Sequence, residues 1–499
     1  MDATRRVIPE GLPVSLQVVF ATLVLGVIYS IITAGRPFAA FPIIAVDGLS
    51  PKNTWLWQGR KAIAEGLQKF SGPFQIITGT GPKIILPNHY ADEIRNNPSL
   101  NFNKALSKDF MVNYPGFEPH LLGLRDGDSL IQDTVRVKLT QSLNLVTTDL
   151  VDETASSLHD VFGESEEWTT RIARQDMLEI VARLSSRVFL GKELCRSRRW
   201  LEVAKHYTVD SFVVSHAMRA CPALIRPIAY WLIPRSKELR KAVRDARKLI
   251  DPEVRRRKAA RPPKVADAIG WMYEAAKGRD ADFVAGQLSL TMAAIHTTTE
   301  TTCQALFDIC EYPDAVQQLR EEIIQVIQEN GWSKTSLYKL KLMDSFMKEG
   351  QRCRPMSLGV LYLYMQVQLS DGTILPKGSR ILVASNFMDP KIYPDPEKFD
   401  PSRFLKLRQG PGQEHSWQFV TTTPAHTLFG HGQHACPGRF FASNEVKIAL
   451  CHLLLKYDWR FVPGEGRPAP MLFEGSNNVD SKAKVQVRRR EAEIDLDSL

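Results

Sequence analysis

The sequence predicts a mainly α-helical protein with a small β-sheet region, preceded by one N-terminal transmembrane helix. Three observations carry this. Between about Ser129 and Lys348 the apolar residues recur at helical spacing, broken at Gly163, Gly191, Pro222, Pro234, Pro262, Gly278 and Pro313. Strand signals are few and short, at Gln75 to Thr78 and Lys83 to Leu86, with a strand–turn–strand unit over Leu361 to Leu382 that turns at Asp371-Gly372. From Gly11 to Gly35 no charged residue occurs.

In chain order, the uncharged run VSLQVVFATLVLGVIYSIIT comes first. It has the length of a bilayer span, for which about 17–25 residues suffice. It exceeds the apolar segment of a cleaved secretory signal, and no small-x-small cleavage site follows it. Residues 1–34 therefore read as a membrane anchor, residues 35–49 as a stiff Gly/Pro linker, and residues 50–499 as one large domain. An apolar content of 44% can fill a large core, so the length does not require several domains. Arg5 and Arg6 flank one side of the run, with Arg36 and Lys52 on the other, so charge alone does not orient it.

Seven scattered cysteines, an odd number, do not form a disulfide framework. No Asn-x-Ser/Thr acceptor with a permitted middle residue occurs, which agrees with a cytosolic face. The formal charge is +9, but basic runs such as Arg255–Lys258 and Arg488–Arg490 lack interleaved aromatic stacking residues. That pattern excludes nucleic acid as the expected partner and suits anionic lipid headgroups or an acidic redox protein. Most of these cations are solvated faces.

The run FGHGQHACPG, Phe429 to Gly438, is the most informative segment. It sets Cys436 just ahead of an apolar helical pattern from Phe440 to Leu455, so amide N–H groups and the positive end of a helix lie beside the sulfur. Such dipoles stabilise a thiolate, the form that binds metal. Gly430, Gly432 and Gly438 permit tight turns and close approach of backbone to a flat ligand, Pro437 suits a helix start, and Phe429 can cover the sulfur. The same residues also fit a buried structural cysteine in a glycine-rich loop.

This pattern, Phe-x-x-Gly-x-His-x-Cys-x-Gly, resembles the haem-binding loop of the cytochrome P450 family. Further segments match in order. Glu349-Gly-Gln-Arg352, followed by Pro355, resembles the family's Glu-x-x-Arg helix, and PDPEKFDPSRF resembles its meander signature. The resemblance implies a structural network of Glu349, Arg352 and Arg403. Ala293-Ala-Ile-His-Thr-Thr298, inside a helical pattern from about Ala281 to Cys310, resembles the family's central helix, where a threonine organises water for proton delivery. Thr297 takes that role by resemblance, with Thr298 and His296 beside it as catalytic candidates. A threonine hydroxyl bonded to a carbonyl one turn earlier loosens the helix and leaves room for water, although mid-helix threonines also serve as plain packing. His296 stands where the family has an acid, and Ala294 where it has a glycine.

The resemblance assigns Cys436 as the axial ligand to the iron of haem b. Phe429, Gly430 and Gly438 shape the haem loop, and Arg136 and His434 are candidate propionate partners. Gln132 replaces the tryptophan that usually accompanies Arg136. Substrate-lining candidates are Met356, Ser357, Leu358 and Gly359, with Ala293. The Ala-Ala-Ile-His-Thr-Thr variant resembles that of fungal enzymes of terpenoid secondary metabolism, including gibberellin and indole-diterpene pathways. The function expected by resemblance is NADPH- and O2-dependent monooxygenation of a lipophilic terpenoid, a diterpenoid, indole diterpene or meroterpenoid. NADPH-cytochrome P450 reductase would be the electron donor, at the cytosolic face of the endoplasmic reticulum membrane. Two other readings stand beside it: a haem-thiolate isomerase or dehydratase that needs no redox partner, and a non-catalytic haem-binding membrane protein.

Overall fold

The computed structural model describes residues 13–33, 35–122, 124, 129–260, 265–356, 361–363 and 365–498. Its centre is the helix Phe283–Glu311, 29 residues long, or about 43 Å at 1.5 Å per residue. Asp282 caps its start by accepting from the Ala285 amide, and Tyr312-Pro313 ends it, the proline opening the next helix, Pro313–Asn330. Val284, Leu288, Ile295, Cys303 and Leu306 are fully buried along it. They pack within one core with the helices Leu143–Phe162, Ala173–Leu190, Arg198–Ala220 and Arg439–Lys456. One face of the same helix escapes the core, because Ala293, Thr297 and Thr301 line a cavity.

The helix ends match the expected breaks. Leu143–Phe162 stops at Gly163, Ala173–Leu190 at Gly191, and Pro234–Ala259 begins on its proline; Pro262 lies outside the described residues. The β structure is larger than the sequence predicts. A five-stranded sheet runs in the order Phe74–Thr78, Gly81–Leu86, Arg380–Val383, Leu361–Leu363, Leu100–Asn101, with the second and third strands parallel. The turn at Asp371-Gly372 closes a separate two-stranded hairpin, Val367–Gln368 with Ile374–Leu375. A three-stranded sheet pairs Thr169–Ile172, Lys484–Arg489 and Tyr457–Arg460. It joins segments about three hundred residues apart, which local periodicity does not reveal.

Residues 35–49, expected as a stiff linker, pack against the first strand. Phe41, Ile44 and Val46 are buried, and the Gln75 side-chain amide donates to the Phe38 and Phe41 carbonyls at 2.7 and 2.6 Å. The uncharged run is helical over Val14–Thr33. Among the described residues, however, no helix is long and apolar enough to cross a membrane. The side chains of Leu23, Val27 and residues 30–33 lie outside the described set.

The segment ahead of the cysteine loop is held by buried charge. Arg352 donates from Nε and Nη2 to the two Glu349 carboxylate oxygens, both at 2.8 Å, and from Nη1 to the Phe387 carbonyl at 2.9 Å. Arg403 Nε donates to Glu349 Oε1 at 3.0 Å, and the Asp400 amide reaches the same oxygen. Neither the Glu349 nor the Arg352 side chain touches solvent. Removing one member of such a pair leaves an uncompensated buried charge. Arg352→Met should therefore cost about 3–5 kcal/mol, read as a lowered midpoint in chemical denaturation; a midpoint unchanged from wild type would contradict this role.

Candidate active site

Cys436 sits between the helical turn Gly432–His434 and the helix Arg439–Lys456. Its amide donates to the Phe429 carbonyl at 2.6 Å, closing the loop. Gly432, with φ +66°, occupies a place where an added Cβ would overlap the Arg95 carbonyl, and the Gln433 amide donates to that same carbonyl. Gly430, with φ +73°, would carry a Cβ only 2.8 Å from the His434 carbonyl. Both conformations favour glycine. Gly438 is the residue before the helix, and it meets nothing closer than Val135 at 3.6 Å.

Burial pushes the Cys436 thiol up, while the Gly438 and Arg439 amides and the Arg439 guanidinium pull it back toward the thiolate. The Phe429 ring stands edge-on to Phe419 at 5.3 Å beside it. Arg439 fixes the loop from the other side, donating to the Cys436 carbonyl at 2.8 Å and to the Val420 carbonyl at 3.1 Å.

Cys436 and Thr297 face one cavity of about 860 Å³ from different walls. Thr297 Oγ1 donates to the Ala293 carbonyl at 2.7 Å, with the Ala294 carbonyl at 3.2 Å. Ala293, Thr298 and Met356 also line the space, whereas Ser357, Leu358 and Gly359 lie outside the described residues. The expected place of His296 needs correcting: it is absent from the cavity wall. Its Nε2 is 3.0 Å from the Lys205 carbonyl on the helix Arg198–Ala220, and burial lowers the imidazole to about 4. At neutral pH it is an uncharged donor tying two helices together.

Arg136 lines the cavity from a short π-helix, Thr134–Leu139, and makes no hydrogen bond or ion pair among the described residues. His434 lines it too, with its Nε2 3.1 Å from the Leu100 carbonyl, and burial holds its imidazole below the ordinary value. It is thus already committed to the backbone, where sequence reasoning expects a propionate partner.

With this geometry in view, the comparisons with known proteins decide the family. The family model for cytochrome P450 matches residues 131–487. A cytochrome P450 monooxygenase of Alternaria brassicicola, bsc2, is 44% identical over 482 residues, covering 92% of this chain and 91% of the relative. The chain is a cytochrome P450. Another relative of this P450, the monooxygenase trt6 of Aspergillus terreus, is 42% identical, covering 90% of this chain and 93% of its own length. Among solved structures, retinoic acid-bound cyanobacterial CYP120A1 superposes with a TM-score of 0.69 over 91% of this P450 and 100% of that chain, at 18% identity. That likeness concerns the fold.

The residues present fit a haem. Cys436 lines the cavity together with Thr297 of the central helix, and two cations, Arg136 and Arg439, line it too. Burial and the neighbouring Arg136 charge both lower the Arg439 guanidinium, so that corner favours anions such as the two carboxylates of a haem edge.

Sequence reasoning missed Arg439 and Glu445, both in the helix behind the cysteine. Glu445 is fully buried. Its Oε1 accepts from Ser185 Oγ at 2.7 Å, and Thr298 is its other neighbour. Burial pushes this carboxyl up from 4.5 to about 8, so the folded state holds a proton that the unfolded chain releases between those values. Stability from this group is therefore full below about 4.5 and falls as pH rises toward about 8. Glu445→Gln should flatten the fall in thermal midpoint between pH 5 and pH 8 in the holoenzyme. An unaltered pH slope would show that Glu445 is ionised in the fold.

Proposed function

We propose that this P450 monooxygenase uses NADPH, dioxygen and a membrane-bound flavoprotein reductase to oxidise a lipophilic terpenoid at an unactivated C–H bond. The observation that carries this reading is the placement of Cys436 and Thr297 on one large cavity. Bound through the Cys436 thiolate, haem supplies the electron-rich iron that favours O–O cleavage.

The chain's own residues do the rest. The loop amides and Arg439 hold the sulfur as an anion, Arg136 anchors the carboxylate edge, and Phe429 with Phe419 keeps water from the thiolate side. On the opposite wall, the Thr297 hydroxyl donates its proton to the Ala293 carbonyl and keeps its lone pairs for water. Phe102, Leu106, Phe110, Phe212 and Met292 make an apolar enclosure that suits a polycyclic hydrocarbon skeleton. The Ala293–Thr298 variant, similar to that of fungal terpenoid enzymes, supports the same substrate class.

For location, the uncharged run before residue 35, the unpaired cysteines and the lack of glycosylation acceptors support an endoplasmic reticulum anchor with the catalytic domain in the cytosol. Deleting residues 1–34 should release the protein from carbonate-washed microsomes; a truncated protein that stays with the membrane pellet would remove the anchor reading.

The decisive experiment is the carbon monoxide difference spectrum of the reduced protein, followed by turnover of a panel of diterpenoids, indole diterpenes and meroterpenoids with NADPH and reductase. Wild type should give the strongly red-shifted band of thiolate-ligated haem, and Cys436→Ser should lose both band and turnover. A red-shifted band surviving in Cys436→Ser would overturn the ligand assignment. Product formed without NADPH would overturn the reductase-dependent reading.

A further inference from the structure

His296 leaves the proton supply to Thr297 without its expected neighbour, because its imidazole is turned to the Lys205 carbonyl. The same helix offers another route. Thr297, Thr301, Gln304 and Asp308 follow one another at spacings of four, three and four residues, which places them on one helical face. All four line the cavity.

Each of the four is hydrogen-bonded. Thr301 Oγ1 donates to the Thr297 carbonyl at 2.9 Å, and Gln304 Oε1 accepts from Arg467 Nη2 at 2.7 Å. Asp308 Oδ1 accepts from Arg354 Nη1 at 2.7 Å and Arg467 Nη1 at 2.6 Å. Asp308 is 1% exposed, yet its Oδ2 has no partner among the described residues. Two other cavity-lining residues, Gln351 and Asn477, likewise carry buried, unpartnered oxygens, Oε1 and Oδ1. An arm with three orphaned acceptors calls for donors, and water supplies them. At the outer end the two arginines also reach Glu311, at 3.3 and 2.7 Å, whose side chain is 34% exposed. Glu300 lines the cavity as well but is committed to Arg174 and to the Val479 amide.

We propose that this polar stripe is a water-filled proton route from the protein surface to Thr297, with Asp308 as its relay carboxyl. The proposal rests on the monooxygenase reading above. Each turnover consumes one dioxygen, two electrons from the flavoprotein reductase and two protons; one oxygen atom enters the C–H bond and the other leaves as water. Asp308 Oδ2 takes a proton from solvent past Glu311 and hands it to water in the arm. Water held by Gln304 and Thr301 carries it to the water at Thr297. Burial raises the Asp308 carboxyl above its ordinary value, Arg467 and Arg354 oppose that, and Glu311 adds to it.

The test uses haem-loaded Asp308→Asn, Thr301→Val and Gln304→Leu, with Thr297→Ala as the reference. The rate of product formation should fall roughly 10²-fold in Asp308→Asn, the low end of what a positioned proton donor contributes, with less product per NADPH, the missing equivalents recovered as peroxide and substrate affinity unchanged. Thr301→Val and Gln304→Leu, which leave the Asp308 carboxylate in place, should show the same uncoupling if Asp308→Asn fails to fold. Unchanged coupling in all folded variants overturns the route. Weakened substrate binding with intact coupling also overturns it and makes the arm a subsite for hydroxylated substrates. Independently of turnover, a crystal structure of the substrate-bound holoenzyme should show ordered waters linking Asp308 Oδ2 to Thr297, and a dry arm or one filled by substrate would refute the route. Retention of the carbon monoxide band in each variant separates loss of the stripe from failure of the haem-thiolate reading.

Discussion

Burial raises the Cys436 thiol, and only a few oriented groups oppose it: two amides at the start of the helix Arg439–Lys456 and the Arg439 guanidinium. A sulfur that must act as an anion in a largely apolar cavity depends on keeping those dipoles aimed at it. The surrounding loop serves that need. Its two left-handed glycines let the backbone fold tightly under the Arg95 carbonyl and the His434 carbonyl, and the Cys436 amide is fastened to Phe429. Any side chain at Gly432 would lift the loop from Arg95 and swing the amides away.

Rigidity is passed to this loop from buried ions some distance along the chain. Arg352 and Arg403, held by the Glu349 carboxylate, donate to carbonyls of the segment 387–398. The buried Lys348 amine donates to the Gln418 and Thr421 carbonyls just before the cysteine loop, and Asp344 accepts from the Phe419 amide and from Lys447 on the cysteine helix. One helix, Lys341–Cys353, thus grips both approaches to the site. Backbone carbonyls without regular secondary structure need such partners once buried, and Arg352, Arg403 and Lys348 supply them here.

The central helix divides its faces between two tasks. Residues such as Leu288, Ile295 and Leu306 bind it into the core, while Thr297, Thr301, Gln304 and Asp308 turn to the cavity. A helix held this firmly tolerates hydroxyls bonded to its own carbonyls, because packing along its other face supplies the stability those bonds give up. The polar stripe and the apolar enclosure around Phe110 and Phe212 then meet near Thr297.

Local pattern was enough for much of this. The spacing around Cys436 marked the candidate ligand and the helix behind it, periodicity and Gly/Pro punctuation marked most helix ends, and Glu349 and Arg352 share a face through their three-residue separation alone. These features depend on neighbours in sequence, so sequence carries them. The three-stranded sheet, the packing of residues 35–49 against Gln75, the outward turn of His296 and the placement of Arg136 beside Arg439 depend on segments far apart in the chain. Helical spacing says which residues share a face, but not which face meets a cavity, a core or another helix. That was decided by tertiary packing: it buried Glu445 with no counter-ion among the described residues, aimed His296 at the Lys205 carbonyl, and set Asp308, Gln351 and Asn477 along one cavity, each with an unpartnered oxygen.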